Sequence, residues 1–244
     1  MYPRRLLVAA GVLAFAVSLV VLAPVGWLLR LAPDGIAERV SDPGGTLWRG
    51  SASLATQSGL LQVSWDSRPA RLLLLTISAD WTATGNGLAA SGSVAAAPWG
   101  YRLQVERGEL GPGWLGRIVT GTRVVSDQPL SIQGLDLELA PGGRVDGASG
   151  RLGWGPGTVQ VAGRAEPLAV PALRGLVRAV DGRLRVLVDG ESEPGGMLAT
   201  LDVDPEARGV HLLISQRAAR LVGAAPSSPR PPDEAFFELR QPLR

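Results

Sequence analysis

Residues 130–139 read Leu-Ser-Ile-Gln-Gly-Leu-Asp-Leu-Glu-Leu. Apolar and polar residues alternate with a period of two, the pattern of a strand with one dry face and one wet face. The phase changes once. Leu130 and Ile132 fall in one phase, Leu135, Leu137 and Leu139 in the other, and Gly134 lies between them. A bulge or bend at Gly134 would return both halves to a single apolar face.

The same alternation runs outward in both directions. Upstream, Leu61, Val63 and Trp65 interleave with polar residues, as do Leu73, Leu75, Ile77, Ala79 and Trp81, and then Tyr101, Leu103 and Val105. Downstream come Val159 and Val161, then Leu184, Val186 and Val188, then Leu201 and Val203, then Val210, Leu212 and Ile214. Turn residues separate the runs at Gly85-Asn86-Gly87, Pro141-Gly142-Gly143, Asp181-Gly182 and Pro194-Gly195-Gly196. Close spacing and short turns predict antiparallel meanders. Residues 69–75 are apolar in both phases and read as a doubly covered strand or a short helical piece. Residues 114–119 would supply one or two helical turns. Residues 171–180 form the better helix candidate, with Pro171 at its start and Leu173, Leu176, Val177 and Val180 at helical spacing. Residues 223–232, GAAPSSPRPP, read as a linker, and the stretch DEAFFELRQPLR that follows reads as a loose docking segment.

Residues 6–29 hold no charge over 24 positions, from Leu6 to Leu29. As a helix that run spans roughly 36 Å, enough for a hydrocarbon core of about 30 Å. A cleaved signal peptide has a shorter apolar core of roughly 7–15 residues. The run therefore reads as an uncleaved anchor, with Trp27 and Arg30 at the interface. Arg4 and Arg5 keep the short end, residues 1–5, in the cytoplasm and send residues 33–222 to the periplasm as a β-rich domain. Residues 223–244 are expected as a Pro-rich, poorly ordered tail.

Composition removes most chemistry. The 244 residues include no cysteine and one histidine, His211. Disulfides, thiolate zinc sites, iron–sulfur clusters, thiol catalysis and three-histidine metal sites are excluded. All 24 basic residues are arginine; setting aside Arg4, Arg5 and Arg30 leaves 21 against 22 acids, with no basic cluster for nucleic acid. No nucleophile elbow, phosphate loop, dinucleotide fingerprint or calcium loop occurs. His211 sits on the polar phase of its strand, without a partner motif. The chain is not expected to be an enzyme, nor to take a cofactor, metal or small-molecule substrate. Seven tryptophans against two tyrosines are unusual. Trp65 and Trp81 share the phase of apolar neighbours, whereas Trp99, Trp114 and Trp154 adjoin Gly or Pro and Trp48 lies two residues from Gly50, all near strand ends. Packing or partner contact suits such residues.

The most distinctive stretch is Asp42-Pro43-Gly44-Gly45-Thr46-Leu47-Trp48-Arg49-Gly50-Ser51-Ala52. Gly45 and Gly50 permit conformations or approaches that a Cβ would block. The segment reads as a tight strand entry with Trp48 as its packing anchor, a structural role for Gly45, Thr46, Leu47, Trp48, Gly50 and Ala52. A weaker echo is Gly150-Arg151-Leu152-Gly153-Trp154. With the single span before it and the β-rich part after it, this motif resembles the type II secretion system protein N family. The resemblance implies an accessory inner-membrane component of the machine that exports folded proteins from the periplasm. Its partners would be other inner-membrane secretion proteins, and lipid through the span. That family is similar in architecture to AsmA-like proteins, whose curled sheets present an apolar groove, so a lipid-binding or lipid-transfer module is the alternative. The expected fold is mainly β: one transmembrane helix, then a curled antiparallel sheet with one or two short helices.

Overall fold

The computed structural model describes residues 24–26, 39–56, 59–69, 71, 75–112, 124–161, 166–190, 193–221, 223 and 231–242. The expected span from Leu6 to Leu29 and the helical turns at 114–119 lie outside them almost entirely. Among the described residues no helix is long and apolar enough to cross a membrane.

Thirteen strands form one antiparallel sheet. Its first six are β1 (Val40–Gly45), β2 (Arg49–Thr56), β3 (Gly59–Ser67), β4 (Ile77–Gly85), β5 (Leu88–Ala97) and β6 (Gly100–Leu110). After β7 (Val124–Ser126) come β8 (Leu130–Leu139), β9 (Val145–Trp154), β10 (Gly157–Val161) and β11 (Leu168–Val170). The chain then runs through β12 (Leu173–Val180), β13 (Arg183–Gly190), β14 (Glu193–Asp204), β15 (Gly209–Ser215), helix α1 (Gln216–Leu221) and β16 (Ala235–Pro242). The large sheet follows chain order from β1 to β16, leaving out β7, β10 and β11, which pair among themselves as a second, three-stranded sheet. Short turns enforce this order. Asn86-Gly87 and Asp181-Gly182 close two-residue hairpins with both residues at positive φ, the geometry that matches strand twist.

The register aligns side chains of one kind in rows across the sheet. One row runs Ala52, Val63, Ala83, Ala90, Gly108, Ile132, Leu152, Gly175, Val188, Ala199, Ile214, Phe237, apolar or glycine at each of twelve strands. The opposite face carries Arg49, Asp66, Asp80, Ser93, Gln104, Asp136 and Ser149, and continues through Arg178, Arg185, Asp202, His211 and Arg240. A slip of one residue in any strand would exchange these faces, so the pattern pins the register.

Gly134 does what its position in the sequence implied. Its φ is 57°, and the β8–β9 register shifts between Gln133 and Asp136. A second shift faces it: β5 and β6 slip at Ser91 and Gly92, which leaves Glu106 extra on β6, opposite Gly134. β6 and β8 therefore change phase together. Val105 and Leu135 stay on the same face as Gly108 and Ile132.

Three expectations are corrected. Residues 173–180 are strand β12, not a helix. Leu176 shares a face with Arg174 and Arg178, and its helical spacing from Leu173 arises from apolar residues on both faces. Gly175 disfavours a helix by about 1 kcal/mol, and here it lets the backbone approach Leu152, whose Cβ would lie 3.0 Å from an added Cβ. The second correction concerns the end of the chain: 235–242 pair in register with β15 as the last strand of the sheet rather than forming a loose tail. The third concerns shape. The sheet is open and not curled. Alternation decides which face a side chain takes, and curvature is a separate property that it does not encode. The strand expected from Leu73 begins at Ile77, with residues 72–74 outside the described part.

Helix α1 fixes how β16 arrives. Ser215 is fully buried and caps it: its Oγ accepts from the N–H of Ala218 at 3.3 Å and donates to the Met197 carbonyl at 2.8 Å. The next two N–H groups, of Gln216 and Arg217, donate to the carbonyls of Glu234 and Pro232 at 2.8 Å each. The open N-terminus of the helix thus holds the segment that leads into β16.

Candidate functional site

The Gly45–Ala52 motif is the β1–β2 hairpin. Thr46 N donates to the Arg49 carbonyl at 2.8 Å, and Arg49 N donates back to Thr46 Oγ1 at 3.2 Å, so the threonine side chain closes a turn whose tip is Leu47 and Trp48. Gly45 has φ 88° and opposes Gly50. A Cβ on Gly50 would come within 2.5 Å of the Gly44 carbonyl oxygen and 2.6 Å of Trp65 Cζ2. Trp65 leans over that vacancy, and its indole N–H donates to the Leu47 carbonyl at 3.1 Å. Trp81 stands directly opposite Trp65 on the next strand, with Gly92 beyond it. Ala52 is buried and starts the long apolar row, while Trp48 is half-buried at the tip. Pro24 bridges to Thr46, and Val25 beside it is buried, so this hairpin is tied to residues that fall within the expected span of 6–29.

Trp154 lies elsewhere. It ends β9, in a row with Leu88, Leu110, Leu130 and Leu173 where the small sheet joins the large one. Its indole nitrogen is buried without a hydrogen-bond partner among the described residues. Asp127 holds that junction. Its carboxylate accepts from Thr158 N at 2.8 Å and from Thr158 Oγ1 at 3.0 Å, and the backbone bond above all keeps its pKa below the usual carboxylate range.

Most arginines of the polar face pair with carboxylates, whereas Arg107, Arg151 and Arg178 make no ion pair among the described residues. Arg102 grips Asp136 with two bonds, Nε to Oδ1 at 3.0 Å and Nη2 to Oδ2 at 2.7 Å, and Arg185 grips Asp202 likewise at 2.6 and 3.1 Å. Arg49 pairs with Asp66, Arg68 with Asp80, Arg174 with Asp189 and Arg183 with Asp204. His211 Nε2 lies 2.8 Å from Glu238, which also accepts from Arg240. Arg102, by hydrogen bond first, lowers the pKa of Asp136; Arg240 does the same for Glu238. Pairs of this kind at a surface stabilise little, but they oppose a register slip. Among the described residues no group of three His, Asp or Glu side chains is placed to hold a metal ion.

The apolar face, in contrast, leaves groups open. At one end of β4–β6, Ile77, Val94 and Tyr101 share that face, with Trp99 in the β5–β6 turn and Leu75 just before β4. Leu75, Trp99, Ile77 and Tyr101 are 68%, 67%, 56% and 54% exposed. Scattered exposed apolar residues are ordinary, whereas several gathered at one end of neighbouring strands, aromatic groups among them, suit a contact surface.

The model of the family described as type II secretion system (T2SS), protein N, matches residues 39–242, which is the whole run from the start of β1 to the end of β16. The chain belongs to the type II secretion system protein N family. No curated protein matches, and no solved structure matches. Membership makes the chain a component of the type II secretion system, in a family of secretion components rather than enzymes.

In this member of the family the motif quoted from the sequence is a hairpin in which Gly50 makes room for Trp65 and Gly45 lets the two strands of the hairpin approach. The four remaining motif residues and both strand tryptophans, Trp65 and Trp81, fall at one end of the sheet, and Trp154 does not join them. Sequence reading picked out Trp99 only as a residue near a strand end. It did not link Trp99 with Ile77, Val94 and Tyr101, since that requires the β4–β5–β6 register. Equal strand phase was the available signal: Ile77, Ala96 and Tyr101 are opposite one another.

Proposed function

We propose that this protein N chain is an accessory inner-membrane component of the type II secretion system that assists export of folded proteins from the periplasm through protein–protein contacts. The family match over residues 39–242 carries this reading. In it, the segment 6–29 anchors the chain and the β-rich part lies in the periplasm. The exposed cluster of Leu75, Ile77, Val94, Trp99 and Tyr101 is the docking surface for another secretion protein of the inner membrane. A sheet whose apolar face is partly open, and which assembles no legible acid–base constellation among the described residues, suits binding better than catalysis. The test is deletion of the gene with comparison of secreted and periplasmic pools. Exoproteins accumulating in the periplasm support the reading; export at the parental level overturns it.

One observation favours a second reading. The apolar face has exposed members in two places, Ile77 and Tyr101 on β4 and β6, and Phe237 and Leu239 on the edge strand β16. Such a face also suits acyl chains, which makes a lipid-binding or lipid-transfer module the alternative. Native mass spectrometry of the chain released gently from membranes would find bound lipid in that case, and the delipidated mass alone counts against it.

A further inference from the structure

The two edges of the large sheet are not alike. β1 is blunted: Pro43 lacks an N–H, Asp42 sits at φ 50°, the register breaks between Ser41 and Gly44, and Pro24 bridges to Thr46 beside it. These are the devices that stop a sheet from recruiting another strand. β16 has a register shift at Phe236 and a proline at its last position, 242, and none of these devices from Phe237 to Gln241. Among the described residues no strand lies beyond it. Its side chains are open as well, with Phe236, Phe237 and Leu239 at 41%, 46% and 37% exposure.

The sequence of β16 has a symmetry that matters at such an edge. Around Leu239 the order is Phe237, Glu238, Leu239, Arg240, Gln241. Antiparallel pairing of two copies about a two-fold axis at Leu239 places Leu239 against its counterpart and Glu238 against Arg240 of the other copy, twice. Opposite charges directly across a strand pair stabilise it, and like charges destabilise it. Centring the axis on Glu238 or on Arg240 instead brings identical charges together. Faces are matched too: Phe237 and Leu239 lie in the rows of Ile214 and Leu212, and Glu238 and Arg240 lie on the polar face with Leu213 and His211. The axis at Leu239 keeps each face on its own side, with Leu239 meeting Leu239 and Phe237 meeting Gln241 on the apolar face.

We propose that β16 is a self-recognition edge: two copies of this chain join β16 to β16 antiparallel about Leu239, forming one continuous sheet with a shared apolar face. The interface is isologous, so it closes at a dimer. The blunted β1 edge prevents further growth.

The chain has no cysteine, so single cysteines report without background. The full-length chain carrying Leu239→Cys is oxidised in its native membranes, alongside full-length Phe237→Cys. In the proposed register the two residues at 239 are directly opposite, whereas the two at 237 are about 13 Å apart along the strand, beyond disulfide reach. Leu239→Cys should form a dimer of twice the chain mass at a yield roughly tenfold above Phe237→Cys. In the Leu239→Cys background, Glu238→Arg should reduce the yield and adding Arg240→Glu should restore it. Equal yields from the two cysteines, an adduct of Leu239→Cys with a protein of another mass, or no recovery in the charge-swapped chain would each overturn the proposal.

Discussion

At the scale of single residues, the hairpin from Gly45 to Ala52 depends on absent Cβ atoms. Gly50 opposes both the Gly44 carbonyl oxygen and the Trp65 ring, and neither can move freely because Trp65 is tied to the Leu47 carbonyl. Gly50→Ala should therefore destabilise the protein by about 1–3 kcal/mol, the range for overpacking, measured as a lower urea midpoint with the slope unchanged. A loss under about 0.5 kcal/mol would show that the hairpin adjusts without strain. Asp136 offers a second prediction. The Arg102 guanidinium holds its folded pKa below the unfolded value, with help from Gln104 at 3.0 Å. A depressed carboxylate stabilises fully above its unfolded pKa of about 4 and loses that contribution as pH falls through its folded pKa. Stability should decline as the medium is acidified below about pH 4, and Asp136→Asn should flatten part of that decline. An unaltered acid slope in the variant would remove Asp136 from the account.

At the scale of elements, what the sequence disclosed depended on whether apolar residues kept to one phase. β8 kept two phases separated by a glycine, and the bulge at Gly134 was legible for that reason. The matching shift at Glu106 was not, because no residue there announces a register change between two strands. β12 was misread because Leu176 and Val180 put apolar groups on its polar face, which mimics a helical period. β16 was misread because two prolines and polar residues precede it, and because its strand character comes from pairing with β15 rather than from local pattern. Helix α1 had no strong signal in six residues and owes its position to Ser215. Ser215→Ala removes the cap and leaves the Met197 carbonyl without its donor, so it should cost about 1–2 kcal/mol. Thermal or urea unfolding would check this. A neutral result would mean that the Gln216 and Arg217 bonds to the following segment hold the helix unaided. The candidate contact surface was the least legible part, since Leu75, Ile77, Val94, Trp99 and Tyr101 belong to three successive strands and their connections, and only register brings them together.

At the scale of the whole molecule, a thirteen-stranded sheet presents two faces of different character. On one, arginines and carboxylates pair across many of the strands. On the other, apolar groups are open at β4–β6 and again at the edge strand β16, which suits contact with a partner. Truncating exposed side chains at such a surface should leave folding within about 0.5 kcal/mol of the parent while impairing assembly. The most direct measurement is complementation of the deletion strain with the full chain carrying Trp99→Ala and Tyr101→Ala, with the amount of the protein in membranes measured in parallel. The account predicts parental levels of the variant protein and exoproteins retained in the periplasm. Full export by a variant present at parental levels would contradict it.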